Sequence, residues 1–428
     1  GAPGTTTPVL PWLVMAAIVG AAAPIAIFYV AVLTSVRGAS VLGSRFASGG
    51  QAASASPGAA ALGQRQASSP TASTLETRAS LQVALLVESL SLASPLVVLL
   101  AIATTRGGMP GGLADLTSIG PASLAVLLAS AMLTTLVLQR LARGYADGAL
   151  VARELLRRGW AFQAESDPRD PTAVAVLLGT HLTSSASLAI ESFCESLFGL
   201  ALPLLAALRL SAIAPLGVVL ATVPLLIRAM AVAAPVFALG AAHRTAEELP
   251  ERAYHRASLV GLLLVGAAIV GATRWALPNA WGTLAVSSAL GLFPLVWDFT
   301  TGALPTRWFS RRRPVTPPHA YGRSAEFLGT LGSELLASSL ALLVQVVPMT
   351  LAWFIGSSSS LPQGGILGVL LCCSVLASTA PWRIAEEVMT GRSAAAMAAN
   401  AITVTTSAQR APAETLLEVN VATPRAPR

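Results

Sequence analysis

Lysine is absent from this chain: all 27 basic side chains are arginine. That excludes every mechanism that needs a lysine amine, whether as a nucleophile or as a phosphate-loop cation. Charge of either sign is scarce, at 11% of residues, which is too little for the solvated surface of an ordinary soluble domain. Only three cysteines occur, Cys194, Cys372 and Cys373; two are adjacent and all lie in apolar stretches. A disulfide framework is therefore excluded, and buried thiols are predicted. No nucleotide-binding glycine loop, zinc motif or hydrolase triad is present. No basic segment precedes the first apolar run, which predicts no secretory signal peptide.

What the chain does have is apolar length. Hydrophobic residues make up 54% of it, and its mean hydropathy is +0.69. Runs near the roughly 20 residues needed to cross a bilayer recur throughout. The spans read from the sequence are Val9–Val36, Ser80–Thr104, Leu116–Leu141, Thr172–Leu208 and Ala212–Ala242, then Ala257–Leu277, Trp281–Leu304, Phe327–Gly356 and Gly364–Trp382. Ser393–Ser407 adds a possible short tenth. The expected fold is all-α, a polytopic membrane bundle of about nine or ten helices.

Arginine placement supports that count. With loops numbered alternately, 20 arginines fall on one side, among them Arg37, Arg78, Arg143, Arg158, Arg244, Arg311 and Arg392. The other side holds only Arg106, Arg209 and Arg274. The positive-inside rule makes the arginine-rich side cytoplasmic, with a bacterial inner membrane as the expected location. The pI near 10.3 therefore reports topology, and no nucleic-acid partner is expected; the partner is the bilayer.

The organisation expected is an N-terminal tail (1–8), a first transmembrane helix (9–36), a flexible low-complexity cytoplasmic loop (37–79), a helical domain (80–408) and a disordered tail (409–428). No proline interrupts Leu138 to Phe162, so the third helix is expected to run on past the membrane to about Arg158.

Asp167-Pro168-Arg169-Asp170-Pro171 leads into a helix carrying Gly179, Thr180, His181 and Ser184, followed by Glu191-Ser192-Phe193-Cys194-Glu195-Ser196. Upstream lies Thr74-Leu75-Glu76-Thr77-Arg78; downstream lie Trp275-Ala276-Leu277-Pro278 and Pro314-Val315 with Gly322-Arg323-Ser324-Ala325. In order and spacing this set resembles the membrane-bound, ion-translocating (H+/Na+) inorganic pyrophosphatases, over about Ser73–Arg392. The chain is similar to the N-terminal and central part of that family. The family's final helices, with further phosphate and metal ligands, have no counterpart.

The resemblance implies a Mg²⁺-dependent pyrophosphate site built from paired carboxylates, since pyrophosphate hydrolysis needs several oxygen-ligated Mg²⁺ ions. In this register the helix-motif acids and amides fall on Val176, Leu177, Thr180, His181 and Ser184, none a carboxylate. In the preceding motif the acids fall on Leu150, Glu154 and Trp160, and the lysine on Arg158. The remnants at family positions are thus Glu154, Arg158, Asp167, Thr180, His181 and Ser184. The expectation is a truncated, catalytically degenerate homologue that retains no metal site and no cofactor, with Mg²⁺ bound only if family activity survives. The family's homodimers imply a homodimer or association with a related membrane protein.

Glu88, Glu191, Glu195, Glu334 and Arg228 lie inside predicted spans. Ionisable groups in a bilayer are costly and face the bundle interior, where they mark an ion path or pair with one another. Two readings stand: a residual proton or cation path, with Glu191 and Glu195 one helical turn apart, or a structural role, either as an ion pair such as a glutamate with Arg228 or as a carboxylic acid kept neutral. His181 has no second His or Cys at ligand spacing and reads as a helix histidine.

Overall fold

A computed structural model describes residues 9–53, 70–106, 112–159, 171–210, 216–241, 250–301, 322–361 and 363–382. Among them the fold is all helical. The helices are α1 (Leu10–Ala53), α2 (Pro70–Arg106), α3 (Gly112–Gly159), α4 (Pro171–Leu210) and α5 (Leu216–Ala241). They continue as α6 (Pro250–Ala276), α7 (Trp281–Ala289), a 3₁₀ turn (Leu290–Leu292), α8 (Phe293–Thr301), α9 (Gly322–Ser357) and α10 (Gly364–Ser378). As expected, α3 continues well beyond its apolar part, to Gly159. Outside the described residues lie the N-terminal tail (1–8), part of the 37–79 loop, the 409–428 tail and the Ser393–Ser407 segment.

Seven helical stretches are long and apolar enough to cross a membrane: Leu10–Thr34, Leu81–Thr104, Ser118–Gly144, Ser185–Arg209, Ala221–Ala238, His255–Ala276 and Gly364–Trp382. At about 1.5 Å per residue such helices match a hydrocarbon layer of roughly 30 Å. The two other predicted spans form shorter apolar helices among the described residues, Trp281–Trp297 and Leu342–Ser357. The protein is thus a multi-pass bundle of membrane-spanning helices. Its outer faces carry Ile18, Tyr29, Leu100, Leu133, Phe237, Leu263 and Phe354, all exposed. Water would penalise such faces; a bilayer solvates them.

The stretch expected as one span from Trp281 is broken instead into α7, the 3₁₀ turn and α8. Pro294 has no N–H for the Leu290 carbonyl, and its ring crowds that carbonyl, so the chain tightens just before it. The break also lets Gly291 sit against the α10 backbone, where a Cβ would meet the Leu376 nitrogen at 2.7 Å and Val375 Cβ at 2.8 Å.

Two apolar clusters form the interior. Ala16, Ile27, Val87, Ile102, Leu127, Ile190, Phe193 and Leu197 join α1 to α4. Ile227, Ala231, Val265, Ile269, Leu284, Leu367, Leu371 and Trp382 join α5, α6, α7 and α10. Two spans are mostly enclosed: in their most apolar stretches 61% (α4) and 72% (α10) of positions are buried, against 28–44% for the other five. They pack on each other and on α5, so they stitch the two clusters together.

Hydroxyls inside the spans are hidden by bonding back along their own helices. Ser94 donates to Leu90 O at 2.6 Å, Thr273 to Ile269 O at 2.6 Å and Ser288 to Leu284 O at 2.7 Å. This satisfies a polar group where no water is at hand, and it explains how serine-rich helices remain compatible with lipid.

Candidate functional site: a buried ion pair where four helices meet

Among the described residues, Glu88 and Arg228 are the only charged side chains that are buried, at 1% and 0% exposure. Glu88 comes from the first half of the α2 span and Arg228 from the middle of α5. Arg228 lies four residues after Pro224 and seven before Pro235, both inside the same continuous helix. They are bonded to each other. Arg228 Nη1 donates to Glu88 Oε2 at 2.8 Å and to Oε1 at 3.0 Å, so a single nitrogen straddles the carboxylate.

That geometry leaves Nη2 free to reach a third helix, and it donates to the Ser196 carbonyl on α4. Ser196 is itself buried. Its hydroxyl donates to the Ala377 carbonyl of α10 at 3.0 Å, accepts from Arg228 Nη1 at 3.4 Å and stands 3.5 Å from Glu88 Oε1. One turn earlier Ser192 donates to the Ala380 carbonyl at 3.3 Å. The α4 serines therefore bond carbonyls around the end of α10. The guanidinium stands at that same end, where the helix dipole favours a cation. Arg228 Nε has no partner among the described residues.

Gly199 makes this convergence possible. A Cβ there would collide with Ala377 Cβ, and would stand 3.0 Å from the Cys373 carbonyl and 3.3 Å from Arg228 Nη2. Ser192, Ser196 and Gly199 follow helical spacing on one face of α4, a small-residue stripe of the kind that lets membrane helices approach closely. That stripe was the available sequence signal for Ser192, Ser196 and Gly199, none of which stood among the candidate site residues.

Glu191 is exposed on α4, and Glu195, one turn on, is half-buried. Of the candidates, the structure brings Glu88 and Arg228 together; it leaves Glu191 on the outer surface. The side chains of Glu154, Arg158, Thr180, His181, Ser184 and Glu334, and the whole of Asp167, lie outside the described residues. Among the described residues no group of three or more His, Cys, Asp or Glu side chains could hold a metal ion. The three cysteines are free thiols, Cys372 buried and the others half-buried. Cys194 Sγ meets Thr135 Oγ1 of α3 at 3.1 Å, and Cys373 donates to Met349 Sδ of α9 at 3.3 Å.

Such an arrangement can do one thing directly. It joins α2, α4, α5 and α10 by charge and hydrogen bonds at a level of the bundle where water is excluded. Comparison with protein-family models finds none that matches this chain, and comparison with curated proteins finds none either.

Proposed function

We propose that this chain is a membrane-embedded homologue of the pyrophosphate-energised proton and sodium pumps that has lost hydrolysis and acts as a structural or regulatory membrane subunit. The observation that carries the reading is the junction at Pro171. There the Asp-Pro-Arg-Asp-Pro tract runs directly into α4, the helix that packs between the two halves of the bundle. Where the resembled family presents acids and amides, this helix has Val176, Leu177, Thr180, His181 and Ser184, none of them a carboxylate. What α4 delivers to the bundle centre is Ser192 and Ser196, which brace other helices.

The closed Glu88–Arg228 pair supports a scaffold role, because its charges cancel each other instead of lining an open passage. The same reading has the chain forming a homodimer or joining a related active protein, in a bacterial inner membrane with the arginine-rich loops in the cytoplasm. The test is Mg²⁺-dependent pyrophosphate hydrolysis by the purified protein in liposomes. No turnover is expected; turnover abolished by Glu154→Ala would overturn the reading.

A second reading is a transporter or channel that works without pyrophosphate through Glu191 and Glu195. It is favoured by the exposed position of Glu191 inside the Ser185–Arg209 span, where a carboxylate is costly unless a polar path or partner receives it. Its signature is proton or sodium flux in the same liposomes that Glu191→Gln abolishes.

A further inference from the structure

Arg274 stands in the last turn of α6, which ends at Ala276. The chain then turns through residues 277–280, closed by Leu277 N–H to Thr273 O at 2.9 Å and Ala280 N–H to Leu277 O at 3.1 Å. It re-enters as α7 at Trp281. This turn lays the Arg274 guanidinium over the Trp281 indole, with Cζ 5.7 Å from the ring centroid. Arg274 is exposed, and no acid bonds to it among the described residues. Trp275 beside it is 69% exposed, the most exposed of the described tryptophans.

The setting is the rim of the bundle, where the His255–Ala276 span ends. Trp353 and Phe354, both exposed, occupy the last turns of α9, which packs on α7 and ends shortly afterwards at Ser357, before the short turn into α10. Indoles at such a boundary sit at headgroup level, with the ring in the acyl region and its N–H toward water. A guanidinium held on an indole face keeps its N–H edge free. That edge matches a phosphate in shape and charge, and the stacking fixes it in advance.

From this geometry we infer that Arg274, with Trp275 and Trp281, forms a binding site for the phosphodiester of a membrane phospholipid, in the leaflet opposite the arginine-rich loops. Arg274 supplies the charge, Trp281 holds it in place, and Trp275 lies along the glycerol and upper acyl region. The inference is independent of any pump ancestry, since it rests on residues outside the ion-pair junction.

The test uses the full chain in detergent, mixed with phosphatidylglycerol or with a phosphate-free galactolipid of the same acyl chains, and read by native mass spectrometry. The wild type is expected to retain phosphatidylglycerol and release the galactolipid. Arg274→Ala should lose the retained lipid, and Trp281→Leu should weaken retention while leaving the charge in place. Equal retention of both lipids by the wild type, which needs no variant to fold, would overturn the site. So would an Arg274→Ala protein that keeps its phosphatidylglycerol. Displacement of the lipid by excess inorganic phosphate would also overturn it, in favour of a soluble anion. In vesicles, the emission lost in Trp275→Phe should be the part quenched by a headgroup nitroxide; quenching by a chain-end nitroxide instead would place Trp275 too deep.

Discussion

Arg228 meets the Glu88 carboxylate with one nitrogen and the Ser196 carbonyl with the other, so the pair binds a third helix as well as itself. Removing Glu88 would leave a fully enclosed cation facing a serine hydroxyl and carbonyl. Glu88→Ala is expected to destabilise the bundle by about 3–5 kcal/mol, as breaking one side of a buried pair generally does. Arg228→Met combined with Glu88→Leu should recover most of that loss, because neither charge is then stranded. Unfolding of the purified protein in detergent, followed by helical circular dichroism, checks both. A double variant as unstable as Glu88→Ala would contradict the account.

Exchanging the charges tests direction. In the Glu88→Arg, Arg228→Glu protein the net charge of the junction is unchanged. A carboxylate on α5 would now oppose the Ser196 carbonyl, which accepts from Arg228 Nη2 in the native protein. Little of the lost stability should return. Full recovery would mean that the Ser196 contact contributes nothing.

Gly199 sets the distance between α4 and α10. Gly199→Val forces its Cβ into Ala377 and toward the Cys373 carbonyl and Arg228, and is expected to cost about 1–3 kcal/mol through overpacking. The same unfolding measurement reads this, and Gly240→Val, at a position with open space around it, serves as the comparison.

Trp382 is seated against α6 at Gly261, where a Cβ would come within 2.8 Å of Cη2 and 2.9 Å of Cε2. Trp382→Ala empties a large enclosed volume and should cost about 3–5 kcal/mol. Gly261→Val should expel the ring instead, detected as a change in the emission that Trp382→Phe removes.

The arginine asymmetry makes a topological prediction. A cysteine introduced at Ser358, exposed in the turn after α9, should react with a membrane-impermeant maleimide from the side opposite to one introduced at Ser310, which lies in the arginine-rich sequence that the positive-inside rule would put in the cytoplasm. Native thiols are first replaced by serine. Labelling of both from one face would overturn the loop assignment.

Much of the fold was legible in the sequence, because hydropathy acts locally and needs no partner. Seven of the expected crossings reappear as full-length apolar helices, and α3 runs on where no proline stops it. The Trp281 stretch was harder: Leu290 to Pro294 is apolar throughout, and hydropathy is blind to the missing N–H of Pro294. For the site, pairing of a glutamate with Arg228 was one of the two readings, but nothing local distinguished Glu88 from Glu191, Glu195 or Glu334. The two partners are 140 residues apart, and only packing brings them together. Ser196 was not legible for a related reason, since its importance lies in what α10 presents to it.

The separation of Glu88 from Arg228 also has a consequence during synthesis. At about 5–20 residues per second, the 140 residues between them take on the order of ten seconds to appear. Throughout that interval α2 carries a carboxylate whose counter-ion does not yet exist, while α3 and α4 are being delivered to the membrane. The first four helices can associate through their own apolar surfaces, but their innermost junction cannot close until α5 arrives. The last half of the chain thus completes the first, and a chain ending before residue 228 would leave Glu88 without its partner and the junction open.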